Sequence, residues 1–211
     1  MFTKQQIAMD TKIALSDKEL ELVCNTEWIL TKHAVIQKVY DLFGEILPSF
    51  EKRIKDNKKY LPEEVFLNSP KISKGENYKL LPYVMLDYPR YFGKDDTIAI
   101  RTFFWWGNFF SMCLQLSGSF KEANVELLTQ KFEWLRQNEY CICVNDNAWE
   151  HHFEKDNFIN LDLLSEEKFR EILLEKPFIK IAKKISLHQW QQVPEFFLKT
   201  FEELAGLIAN S

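Results

Sequence analysis

Long apolar runs are missing from this sequence. No stretch reaches the roughly 18 residues that a membrane-spanning helix needs. No positively charged and then apolar leader opens the chain. A membrane partner is therefore not expected, and a cytoplasmic location is. Cysteine is sparse, with four residues scattered through 211. A chain of that size does not depend on disulfides, so a reduced protein is expected. Glycine and proline number only six and seven. No Gly-, Ser- or Pro-rich linker divides the chain, which predicts a single domain over residues 1–211. An excess of charge is also lacking: the net charge is -4. That balance argues against a nucleic-acid partner, which usually meets a strong basic excess. One basic cluster, Lys52, Arg53, Lys55, Lys58 and Lys59 in "EKRIKDNKKY", reads as a solvated helix end where the dipole favours cations. Motifs for a nucleophile elbow, a P-loop, a dinucleotide fold, a zinc protease or an EF-hand are absent.

What is present suits a packed core. Hydrophobic residues make up 46% of the chain and charged residues 27%. A chain of this length buries roughly 70% of its unfolded surface, and so many aromatic and aliphatic side chains offset chain entropy. "SDKELELV" predicts a helix with Ser16 and Glu19 as a capping box. Thr26 restarts a longer helix. Ile29, His33, Ile36, Tyr40, Phe43, Leu47, Phe50 and Ile54 fall on one stripe of it. Gly44 and Pro48 predict a kink or a break there, since proline cannot donate its backbone hydrogen bond. After Pro70 the composition becomes that of strands: "YKLLPYVMLDYP", "TIAIRTFFWW" and "NFFSMCLQLSG". Pro82 marks the first as an edge or a bulged strand. Ser119 and Glu122 suggest a second capping box, ahead of a stripe of Val125, Leu128, Phe132 and Leu135. "YCICV" and "NFINLDL" read as short strands. Ser165 opens a helix with acids in its first turn. Pro194 opens the last helix, with Phe197, Phe201, Leu204 and Ile208 on its buried face. Helices, then a strand meander, then helices define an α+β fold: a central, mostly antiparallel sheet with helices packed around it and helical N- and C-terminal segments.

The aromatic stretch "TFFWWGNFF" is expected to be a hairpin. A two-residue turn at Gly107 and Asn108 would oppose Trp106 to Phe109 and Trp105 to Phe110. Arg101 then shares a core face with Phe103, Trp105, Phe110, Met112 and Leu114. Trp106 lies on a mixed face with Phe104, Phe109, Ser111, Cys113 and Gln115. A shift of one residue in the turn would exchange these faces. The rings either pack under cover on both faces or line a pocket or dimer contact. A buried guanidinium needs a partner. Arg101 either pairs with a carboxylate such as Asp87 or Glu76, or binds an anion at a pocket floor.

The segment "SPKISKGENYKLLPYVMLDYPRYF" resembles a group of uncharacterised bacterial α+β proteins with a D-K-x-P-Y-K-T motif. Glu76, Asn77, Tyr78 and Lys79 fall on that motif, of which Tyr78 and Lys79 are kept. "TEWILTKHAVIQKVYDLF" is similar to that family's opening helix. "LLEKPFIKIAKKISLHQWQQVPEFFLKTFEELAGLI" is similar to its closing strand and final helix. The family's Asp-Lys pair, its proline and its run of arginines are missing. The resemblance implies a central sheet with surrounding helices and no known activity.

Cys141 and Cys143 form C-x-C ahead of His151 and His152. Adjacent histidines point to opposite sides of an extended chain, so the reading here is small apolar cysteines in a core strand, with no metal. His33 reads as a core histidine with satisfied hydrogen bonds. Asp87, Tyr88, Arg90 and Tyr91 form a polar-aromatic cluster at a strand end, explained by a proline-directed turn or by a pocket rim. Together these features predict a cytoplasmic domain without a cofactor, monomeric or homodimeric. It would bind a small anionic or aromatic ligand, or a protein partner, over its sheet. Arg101, Tyr78, Lys79, Trp106 and Arg90 are the candidate binding residues. The alternative is an enzyme acting on a phosphate- or carboxylate-bearing small molecule.

Overall fold

The structure, a computed structural model, describes residues 13–208. The chain divides into two compact units, Met1–Lys38 and Val39–Ser211.

The first unit holds α1 (Asp17–Cys24) and the first part of α2 (Thr26–Asp56). Ser16 caps α1 as its sequence predicts: its hydroxyl accepts from the Glu19 amide, and the Glu19 carboxylate accepts from the Ser16 amide. No side chain of α1 is buried. His33 is exposed, not a core histidine.

The second unit is a seven-stranded antiparallel sheet with helices. Its strands are β1 (Lys71–Tyr78), β2 (Leu81–Phe92), β3 (Thr97–Trp105), β4 (Phe109–Ser117), β5 (Cys141–Cys143), β6 (Phe158–Asn160) and β7 (Phe178–Ser186). Their order is β1-β2-β3-β4-β7-β5-β6. The helices are α3 (Gly118–Gln130), α4 (Phe132–Gln137), α5 (Glu166–Glu175) and α6 (Val193–Ile208), after the end of α2. The α+β class expected from the sequence is the one observed.

Several local expectations change. α2 runs through Pro48 without a break. Gly44 stands four residues before it, where a proline ring crowds the preceding turn, and a residue without Cβ lets that turn adjust. "YKLLPYVMLDYP" is not one strand but the corner of the β1–β2 hairpin. Tyr78 pairs with Leu81 across Lys79 and Leu80, both of which have positive φ. The bulge expected near Pro82 is present, with Glu76 and Asn77 on β1 lying opposite it. Pro82 has no amide to offer there. Ser119 does not cap α3. Asp96 does so from the β2–β3 loop, accepting from the Ser119 amide and hydroxyl.

The two faces of the sheet are covered differently. Ile98, Ile100, Phe104, Phe110, Met112, Leu114, Ile181 and Ile185 face the helices and are buried. Phe43 of α2 meets Phe197 of α6, which meets Phe110 of β4. Phe50 stacks on Phe201 at 3.8 Å between centroids. The opposite face carries Asp87, Arg101, Phe103, Trp105, Phe109, Ser111, Cys113, Lys180 and Ala182. Segment 144–157 contributes His151 and Phe153 against it.

Candidate functional site

Hairpin geometry decides which residues meet Arg101. The β3–β4 turn has three residues, Trp106, Gly107 and Asn108, so Trp105 opposes Phe109. This is one residue away from the two-residue turn. Arg101 therefore opposes Cys113, with Phe103 opposite Ser111 and Ala99 opposite Gln115. It is not a misfit on an apolar core face; it belongs to the polar face. Trp106 goes to the helix side of the sheet, where its ring meets Phe104. The aromatic stretch thus splits between two packed faces. Phe104 and Phe110 meet Trp190 on one, and Phe103, Trp105 and Phe109 join Tyr78 and Phe153 on the other.

Arg101 is paired with Asp87, its neighbour across β2. Nε reaches Oδ1 at 2.7 Å and Nη2 reaches Oδ2 at 3.1 Å. Both side chains are buried. The planar fork of the guanidinium is filled by this carboxylate. The rings of Phe92 and Trp149 lie 5.8 and 5.5 Å from the guanidinium carbon. Nη1 approaches His151 Nε2 at 3.4 Å. Burial, with the positive charges of Lys180 and Arg101 close by, pushes His151 well below the ordinary histidine value. The imidazole is therefore neutral.

Tyr78 and Lys79 come to the same place by way of Glu150. The Tyr78 hydroxyl donates to Glu150 Oε2 at 2.9 Å and accepts from the amides of His151 and His152 at 2.7 and 3.0 Å. Lys79 Nζ is 3.6 Å from Glu150 Oε2. Lys180 donates to the carbonyls of Ala148 and Glu150. Its burial disfavours the cation and lowers its pKa from the ordinary lysine value. Arg101, Tyr78 and Lys79 thus converge on residues 148–152, and Trp106 and Arg90 do not join them. Arg90 Nε donates to the Ser69 carbonyl.

Glu150 and Lys180 were not among the sequence candidates, and His151 was weighed there only as a metal ligand. Lys180 had a legible signal. In "FIKIAKKIS", Ile179, Ile181 and Ile185 alternate with Lys180, Ala182 and Lys184, the pattern of a strand with two unlike faces. Glu150 and His151 lie outside any regular element, so periodicity says nothing of them.

The arrangement holds a loop to a sheet. The cavity left between Arg101, Ser111, Cys113, His151 and Lys180 has a volume of about 10 Å³, the room of a single water. Burial pushes the Cys113 and Cys141 thiols up to about 11 and raises Cys143 as well, so none is a ready thiolate. Among the described residues, no three His, Cys, Asp or Glu side chains group as metal ligands.

Larger hollows lie elsewhere: one of about 500 Å³ lined by Cys141, Phe153, Phe158, Ile159 and Lys184, and two more. One, of about 680 Å³, lies between Lys59–Pro62, Glu64, Ile98 and the start of α3, where Asn124 lines it. The Asn124 amide nitrogen donates to the Phe120 carbonyl, and its buried Oδ1 has no partner. The other, of about 500 Å³, belongs to the first unit. It is lined by Leu15, Leu22, Val23, Trp28 and Ile29, with Asn25 between the helices and Thr26 at the start of α2.

No protein-family model matches this chain, and neither a curated protein nor a solved structure matches it. Among the described residues, no helix is long and apolar enough to cross a membrane.

Proposed function

We propose that this protein is an interaction module that binds another polypeptide, and that it does so through its N-terminal helices rather than over its sheet. One observation carries the reading: large apolar side chains crowd the surface of a small helical unit. Val23, Leu30 and Trp28 are 68%, 64% and 50% exposed, and Leu15, Leu20 and Leu22 are exposed beside them. Scattered exposed leucines need no explanation, but Leu15, Leu22, Val23, Trp28 and Ile29 line one groove, and a continuous apolar surface marks a contact. The sheet face offers less, because Asp87 fills the Arg101 fork and the cavity there admits one water. In dilute monomeric protein, an apolar-surface dye should bind and fluoresce. Val23→Asp with Trp28→Asp should remove that signal while leaving helix content by circular dichroism unchanged. A wild-type monomer that binds no dye would reject the reading.

A small-molecule ligand is favoured by a different observation, the unpartnered Asn124 Oδ1 beside the 680 Å³ hollow. A buried acceptor without a donor is costly. A ligand N–H or O–H placed there would satisfy it. A thermal-shift screen of metabolites should then show a compound whose stabilisation disappears in Asn124→Leu.

A further inference from the structure

We infer that the hollow between Lys59–Pro62 and the start of α3 takes a protonated primary amine carried on an apolar body. The inference rests on the small-molecule reading of that hollow and names the class of ligand. Its volume of about 680 Å³ is that of a ligand pocket. Asn124 is the anchor: it is 2% exposed and lines the hollow. Its Nδ2 donates to the Phe120 carbonyl at 2.8 Å, four residues back on the same helix. Turned the other way, the amide would set oxygen against that carbonyl, so the unpartnered group is fixed as the acceptor Oδ1. A buried acceptor stays costly until a donor reaches it.

The other polar groups of the lining ask for the same chemistry. Glu64 is half-buried, and among the described residues no cation pairs with its carboxylate. Ser119 spends its hydroxyl proton on Asp96 Oδ1 at 2.8 Å, which leaves it only lone pairs to offer. Lys59, the cation of the lining, holds its Nζ 4.6 Å from the centre of the Tyr60 ring and pairs with none of these groups. An ammonium group carries three N–H donors and the charge that the Glu64 carboxylate calls for. An anion is disfavoured. The positive end of α3, where an anion would sit, is already held by Asp96, which accepts from the Ser119 amide at 2.7 Å. Leu61, Pro62, Ile98 and Phe120 make the remaining wall, which suits an apolar body attached to the amine.

A thermal-shift titration of the full chain at neutral pH tests the site with butylamine, phenethylamine and tryptamine as probes. At least one of them should raise Tm in a concentration-dependent way. Phenylpropionate, which carries a carboxylate on the same body as phenethylamine, should not. The N-acetyl derivative of the best amine, which keeps an N–H but no charge, should bind about tenfold more weakly or worse. Glu64→Gln should weaken the amine by a similar factor, and Asn124→Leu should abolish its effect. Circular dichroism checks that both variants keep their helices, and Glu64→Gln remains informative if Asn124→Leu does not fold. Amines without effect, where another metabolite stabilises the wild type but not Asn124→Leu, would overturn the amine and leave the small-molecule reading standing. No compound with an Asn124-dependent shift would overturn both. Amine binding indifferent to Glu64→Gln and Asn124→Leu would place the site elsewhere and reject the inference, and so would phenylpropionate or the acetylated amine binding as well as the amine.

Discussion

Asp87 and Arg101 face each other across β2 and β3, and each is buried because the other is there. Removing one partner strands a charge, which is worse than removing both. Arg101→Met should lower unfolding free energy by about 3–5 kcal/mol. Adding Asp87→Leu to it should restore most of that, since apolar pairs of similar volume often replace buried ion pairs without loss. Urea midpoints of the two variants check this. A loss under about 1 kcal/mol in the single variant would mean that the pair does not hold the face together. His151 gives a second residue-scale expectation. Its folded-state pKa lies below the unfolded value near 6.5. Between those two values the unfolded chain takes a proton that the folded chain refuses, so stability falls as pH drops below about 6.5. The slope contributed is at most about 1.4 kcal/mol per pH unit. His151→Gln should flatten the stability curve from pH 6.5 towards 5, read as Tm against pH. An unchanged curve would mean that His151 titrates alike in both states.

At the scale of elements, two glycines end the two sides of β4 for different reasons. Gly107 in the hairpin turn has φ +71 and open space where a Cβ would stand. Gly118, the first residue of α3 directly after β4, has φ +58, and a Cβ there would meet the Asp96 carboxylate oxygen and the Asp95 carbonyl. Gly107→Ala should therefore cost only the strain of a left-handed residue, about 1–2 kcal/mol. Gly118→Ala should cost the same strain plus a clash, a further 1–3 kcal/mol or so, because Asp96 also caps Ser119. Equal losses in denaturation would show that the β2–β3 loop yields freely. The Lys79–Leu80 corner is another left-handed turn, built without glycine. That is why a strand pattern in "YKLLPYV" conceals a hairpin: the turn lacks the residues that normally announce one.

On the scale of the whole molecule, the chain divides its work. Val39–Ser211 holds the sheet, and its two faces are closed: helices on one side, segment 144–157 on the other. The polar network under that segment satisfies nearly every group it contains. Lys180 and Tyr78 bind backbone carbonyls and amides of residues 148–152. Such a network fixes an irregular segment that has no ladder of its own. Residues 13–30 keep their large apolar side chains exposed, and the proposed contact lies there.

Much of the fold was legible because it depends on local rules. Capping at Ser16, the strand composition after Pro70, the bulge opposite Pro82 and the final amphipathic helix follow from side chains and their immediate neighbours. The need for a partner to Arg101 was legible too, with Asp87 among the two candidates. What the tertiary structure decided was register and convergence. One extra residue in the Gly107 turn moved Ser111, Cys113 and Gln115 to the Arg101 face and sent Phe110, Met112 and Leu114 to the other, because strand side chains alternate with period two. The meeting of Tyr78, Arg101 and Lys180 around Glu150 and His151 joins residues as much as 102 positions apart through a segment without periodicity. No local pattern encodes such contacts. They arise only when β7 enters the sheet beside β4 and lays Lys180 under the loop, where a buried ammonium must find carbonyls.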